Sequence, residues 1–228
     1  MLALLYDIHG NLPALEAVLA DAEAAGTDRW LLGGDVAAFG GWPAEVVERL
    51  HGLDGAQWVR GNTERELAEP GVLAADELLG AALAAGRDAL GEATVADLFA
   101  LPERLTLLEG HFCHASPLND MESFGVEPSG DEDRLIDGIK ARRIVFGHTH
   151  VQFTRTRDDG IELVNPGSIG IPLDGDRRAA YALLGEDGAL DLRRVAYDHE
   201  AAAAGIGERF AGSPWTEIFA GRIRRAAP

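Results

Sequence analysis

Short apolar runs that stop at a polar residue recur through the first 150 positions of the chain. Residues 2–6 (LALLY) run into Asp7, 29–32 (RWLL) into Gly33-Gly34-Asp35, 57–60 (QWVR) into Gly61-Asn62, and 143–146 (RIVF) into Gly147-His148. Runs this short suit buried strands. Between the first two lies a stretch, 11–25, with Leu12, Leu15, Val18 and Leu19 at helical spacing. Asn11 is a natural N-cap for it, Pro13 sits where a missing N–H costs little, and Gly26 supplies the stop. Residues 43–50 repeat the helical pattern behind Pro43. Strand and helix alternating at these lengths predict parallel pairing in an α/β layered fold.

The pattern changes after Asn62. Residues 64–100 are rich in Ala, Leu and Glu, and predict a helical insertion beside the strand ends, broken at Gly71, Gly80, Gly86 and Gly91. Residues 106–109 and 110–114 predict a hairpin turning at Glu109-Gly110, with its second strand ending at His114. Residues 115–130 are loop-like, and 131–139 make a short helix. Strands then follow at 151–157, 161–165, 179–184 and 190–197, with turn signals at Asp158-Asp159-Gly160 and at 185–188, which predicts a mostly antiparallel sheet in the second half. The tail, 199–228, reads as a short helix, a loop around Gly212-Ser213-Pro214 and a weakly helical end. The sum is two sheets with helices outside, in a single domain spanning 1–228.

Composition narrows the class. Apolar residues make up 46% and charged residues 25%, so the chain is an ordinary folded protein with a sizeable core. Cys113 is the one cysteine, which excludes an intrachain disulfide and a cysteine-rich zinc site. No basic leader precedes the first strand, and no stretch approaches the ~18 apolar residues of a membrane span, so no membrane partner and a cytoplasmic location are expected. A formal charge of −18 repels polyanions, which makes a stable nucleic-acid partner a poor expectation. It leaves room for a small phosphorylated substrate, because bound divalent cations invert a local potential.

The polar residues at the ends of the apolar runs carry the candidate chemistry. Asp7 and His9, two apart just past a strand, face the same way in extended chain and can share one ion. Asp35 has two carboxylate oxygens and can bridge two cations, while Asn62 offers a neutral amide oxygen. His114 and the pair His148 and His150 supply imidazoles. Singly, each is more often an ordinary loop or surface residue; the set is what informs. Nitrogen and oxygen ligands without thiolate suit Mn, Fe, Zn, Ni or Co better than Mg or Ca alone. Seven such residues suffice for two ions, which together can activate a water for attack on phosphorus.

The ordered series Asp7-x-His9, Gly34-Asp35, Gly61-Asn62, His114 and Gly147-His148-x-His150 resembles the calcineurin-like metallophosphoesterase superfamily. Asn165-Pro166-Gly167-Ser168 and the strands that follow resemble its small bacterial and archaeal phosphodiesterase-like members. The resemblance implies a four-layer αββα sandwich of two mixed sheets and a metal-dependent phosphoric ester hydrolase. It implies two metal ions, manganese foremost, with iron, zinc, nickel or cobalt as alternatives. Asp7, His9 and His150 would hold the first, Asn62, His114 and His148 the second, and Asp35 would bridge them. A bridging hydroxide would attack phosphorus, with Asp35, Asn62 and His114 closest to the chemistry.

One position departs from many family members. The histidine that follows Gly-Asn there is Thr63 here, followed by Glu64. A threonine hydroxyl can contact substrate but is a poor general acid, which favours aryl or nucleotide-like leaving groups of low pKa. Arg65 is a weaker candidate for a phosphate contact. No basic cluster beyond the metals is evident for a dianionic monoester, so phosphodiesters are the expected substrates. Phosphomonoesters, including phosphoproteins and nucleotides, and dinucleoside polyphosphates are the alternatives; a non-catalytic interaction scaffold is the reading outside enzymes. His111 and Cys113 face away from His114's side of the strand or alternate with it. The pattern does not distinguish a monomer from a homodimer.

Overall fold

The computed structural model describes residues 1–69, 76–108, 110–136 and 138–228. The expected break at Gly71 and the turn residue Glu109 lie outside them. The first strands and helices alternate as predicted: β1 (Leu2–Leu5), α1 (Leu12–Ala24), β2 (Arg29–Leu32), α2 (Pro43–His51) and β3 (Gln57–Trp58). The side chain of Asn11 caps α1 by accepting from the Ala14 N–H at 3.2 Å. Three helices follow, α3 (Asn62–Ala68), α4 (Glu77–Leu90) and α5 (Glu92–Phe99), then β4 (Arg104–Leu107) and β5 (Gly110–Cys113). A short α6 (Glu132–Leu135) precedes β6 (Arg143–Val145), β7 (Phe153–Thr156), β8 (Glu162–Asn165), β9 (Ala179–Leu184) and β10 (Leu190–Val195). Two helices, α7 (His199–Arg209) and α8 (Trp215–Arg225), end the chain.

The strands form two five-stranded mixed sheets, ordered β10-β9-β1-β2-β3 and β4-β5-β6-β8-β7. The antiparallel sheet expected in the second half does not form as a unit. β6 pairs parallel with both β5 and β8, while β9 crosses over to lie antiparallel to β1, with Leu2 opposite Leu184. The reason is burial: all six residues of β9 are buried, so it needs cover on both faces, which an interior place in the first sheet provides.

Three cores hold the layers together. Leu2, Leu4, Tyr6 and Leu31 of the first sheet meet Phe112, Val145 and Val164 of the second between the sheets. The outer face of the first sheet, with Leu5, Trp30 and Leu32, carries the larger core beneath the helices. The outer face of the second is covered more thinly, by Phe124 and Leu135 packed on Cys113, Ile144, Phe146 and Leu163. Buried Glu132 ties this covering segment down by accepting from Arg155 and Arg157.

Two expectations about helices need correction. Gly80 and Gly86 do not break the insertion but lie inside α4. The penalty for a helical glycine is about 1 kcal/mol, which α4 offsets by burying Ala82, Leu83 and Leu90 in the main core. The end of the chain is also more ordered than its pattern suggests. Trp215, Phe219 and Ile223 recur every four residues and are buried in the main core, so α8 gains its stability from packing rather than propensity.

Candidate metal centre

All seven ligand-type residues converge at one end of the two sheets. Asp7, His9 and His150 bring one donor atom each to within 4.8 Å of one another, and Asp35, His114 and His148 do the same. Asp35 lies between the two groups: its Oδ2 is 3.7 Å from His9 Nε2, and its Oδ1 is 3.4 Å from His114 Nε2. Asn62 joins the second group, its Oδ1 lying 3.0 Å from both His114 Nε2 and His148 Nδ1.

The loops reach this arrangement through an unusual backbone. Asp7, His9, Asp35, His148 and His150 all have φ between 50° and 65°. Left-handed backbone outside glycine is uncommon, though Asp and His tolerate it best, and it costs on the order of 1–3 kcal/mol per residue. A side chain turned this way leaves the strand direction and points across the sheet ends. The glycines beside these residues serve close approach. Gly34, at φ 92°, packs against the Gly61 backbone, and a Cβ on Gly61 would collide with the Asp35 carboxylate.

Three of the four histidines are aimed from behind. His9 Nδ1 donates to the Ala38 carbonyl at 3.2 Å, His114 Nδ1 to Gly33 at 2.9 Å, and His150 Nδ1 to Ile171 at 2.7 Å. A proton fixed on Nδ1 leaves Nε2 as a lone pair facing the site. The Asn165–Ser168 turn supports the same loops. Asn165 Nδ2 donates to Gly147 and Thr149, and the Ser168 hydroxyl donates to the Asp7 carbonyl at 2.7 Å.

Acceptors therefore face acceptors. His9 Nε2 and His150 Nε2 stand 3.0 Å apart, with both Nδ1 protons engaged elsewhere. Asp7 is fully buried, and its Oδ1 has no hydrogen-bond partner, lying 3.5 Å from His150 Nε2 and 4.0 Å from His9 Nε2. A buried acceptor without a donor costs about 1–3 kcal/mol. Lone pairs converging on one point are what a cation resolves, so these residues fit a metal pair.

The ionisation of the donor groups tells the same story. Burial pushes His9 down to about 4, and it holds His150 well below its ordinary value. Burial also pushes Asp7 up to about 8, partly relieved by the charge on His114. For Asp35, burial is outweighed by the neighbouring His114, which holds the carboxyl well below the usual range. His114 in turn rises to about 10 against its own burial, held by Asp35. Without ions the site thus retains protons where positive charge is wanted.

The pattern of apolar runs missed the residues behind the ligands. Glu64 accepts from three backbone N–H groups, of Gly61 at 2.7 Å, Asp35 at 2.8 Å and Val36 at 2.9 Å, locking two ligand loops together. Its place three residues after Gly61, where a helix N-terminus favours Glu, was the available signal. Glu66 is 4% exposed and accepts from Asn62 Nδ2 at 3.3 Å, which turns the Asn62 oxygen toward the histidines. Thr63 is 1% exposed; its N–H donates to Asp35 Oδ1 at 2.9 Å and its hydroxyl lies 3.5 Å from Glu64.

Side chains around the centre serve packing. Phe39 stacks on Phe219 of α8 at 4.4 Å, 5.5 Å from the His9 ring, and Trp42 packs against Gly205 of α7. Cys113 is buried in the outer core, and His111 lies outside both donor groups. The expected absence of a basic cluster is overturned. Arg60, Arg65 and Arg104, 44 residues apart in sequence at most, are brought together on a cavity that also touches His114.

Comparison with known proteins decides the family. Residues 1–188 match the calcineurin-like phosphoesterase superfamily domain. The chain belongs to this family. It is accordingly a metal-dependent phosphoester hydrolase by membership. The phosphodiesterase YfcE of Escherichia coli is 30% identical over 192 residues, covering 79% of this chain and 85% of the relative. An uncharacterised protein of Methanocaldococcus jannaschii is 27% identical over 218 residues, covering 87% and 88% respectively. Among solved structures, a metallophosphoesterase from Sphaerobacter thermophilus superposes with a TM-score of 0.84 at 26% identity, covering 99% of this chain and 98% of that one. None of the helices in the described residues is long and apolar enough to cross a membrane.

Proposed function

We propose that this calcineurin-like protein hydrolyses phosphodiesters at a two-ion centre. The observation that carries the reading is Asp35, which turns one oxygen toward each donor group. Asp7, His9 and His150 would hold one ion and Asn62, His114 and His148 the other. Bound there, a pair of divalent ions supplies an acidified water and neutralises charge building on the phosphoryl oxygens. The protein's own part is to keep these donors aimed and shielded from water. The diester preference is supported by the likeness to a relative named as a phosphodiesterase.

Thr63 shapes the leaving group. Its side chain is buried beside Glu64, so no proton donor stands where many family members place a histidine. Substrates that leave as weakly basic aryl or nucleotide oxyanions therefore suit the site best. The test is turnover of bis-p-nitrophenyl phosphate and p-nitrophenyl phosphate after chelation and reloading with manganese. Faster diester turnover is expected, with a loss of about a hundredfold or more in Asp35→Asn. Wild-type turnover by that variant would refute the bridging role, and faster monoester turnover would reverse the substrate assignment.

A further inference from the structure

Next to the Asn62, His114 and His148 group lies a cavity of about 250 Å³ with His114 in its wall. Arg60 enters it from the end of β3, Arg65 from α3 and Arg104 from β4. Two lining carboxylates answer three guanidinium groups: Glu103 meets Arg60 at 2.7 Å, and Asp120 meets Arg65 in a two-point fork. Arg104 has no carboxylate partner among the described residues and gives one bond, to the Pro117 carbonyl at 3.0 Å. Arg60 Nε is buried without a partner, while its guanidinium lies 4.9 Å over the Phe99 ring and also donates to the Phe99 carbonyl.

This is a cationic pocket on a chain of net charge −18. Only Arg60 Nε is a buried donor left unpaired; Arg104 is exposed, its charge free to meet an incoming anion, and a guanidinium fork matches phosphate oxygens in shape and charge. Its position beside the second donor group sets what would fill it. We propose that the pocket holds a second phosphate of the substrate, carried beyond the scissile one. The inference rests on the hydrolase reading above and narrows it to phosphodiesters that bear a further phosphate. Arg104 supplies the free charge, and Arg60 and Arg65 form the fixed walls.

The test compares two substrates with the same nitrophenolate leaving group: thymidine 5′-(p-nitrophenyl phosphate) and its 3′-phosphorylated form. In the manganese-loaded wild type, kcat/KM should favour the 3′-phosphorylated ester by about tenfold. Arg104→Ala should bring that ratio to about one through KM, and Arg104→Lys should restore part of it. No preference in the wild type, or a preference that survives Arg104→Ala, overturns the proposal. A second readout does not depend on turnover. Calorimetric titration of inorganic pyrophosphate into chelator-treated protein should show about tenfold weaker binding in Arg104→Ala at unchanged circular dichroism. Equal binding by both proteins overturns the pocket assignment. Failure of both esters to be hydrolysed under any metal overturns the hydrolase reading instead and leaves the titration to judge the pocket.

Discussion

At the scale of single residues, the centre is built from groups that have given up their ordinary partners. The Nε2 atoms of His9 and His150 and the Asp7 oxygen face one another across a few ångströms, and the donors that would normally satisfy them are spent on backbone carbonyls behind. Asn62 is the exception that needs help, because an amide can present either its oxygen or its nitrogen. Glu66 resolves the choice by accepting from Nδ2. Glu66→Gln removes that bias, and metal affinity should fall by about 10–100-fold with the fold retained. Competition against a chelating dye measures this, and unchanged affinity would show that Asn62 is oriented by something else. The sequence marks Glu64 as a helix-start residue but not as the support of a second ligand loop, because its partners Asp35 and Val36 lie nearly 30 positions away and only the fold brings those N–H groups to the carboxylate.

At the scale of elements, the alternation of apolar runs and helical spacing predicted β1 to β3 and the helices between them. These are local patterns, and burial on one face or two leaves its mark within a few residues. The pairing of β9 with β1 was not legible, since a buried strand records how deeply it lies but not which neighbour it takes. α8 shows the same limit. Its Phe219 stacks on Phe39 at 4.4 Å, and Phe39 backs the His9 ring, so the last helix of the chain supports the first metal group. Phe219→Ala should cost about 3–5 kcal/mol and lower Tm by roughly 10 °C. A thermal melt that does not move would contradict this packing role.

At the scale of the whole molecule, a charge of −18 surrounds two groups of donors suited to cations. The donors answer this with protons of their own, since His114 rises to about 10 and Asp7 to about 8. The sign follows: groups with raised values are protonated at neutral pH, a metal must displace those protons, and apparent metal affinity rises as pH climbs toward those values. Manganese titrations in buffers of different ionisation heat should show proton release at pH near 7, with affinity rising between about pH 6 and 8.5. Added salt should weaken the binding by screening the surrounding acid. Binding without proton release would mean that the site is already deprotonated when empty.

The sequence by itself determined the family, the ligand types and the strand ends that bear them, because these rest on residue identity and local periodicity. Only the tertiary structure decided how the donors divide around Asp35 and that three arginines from separate elements share a cavity beside His114. The physical reason is distance: each of these depends on atoms many residues apart whose approach is set by sheet pairing and left-handed loops, and no local pattern encodes such a meeting.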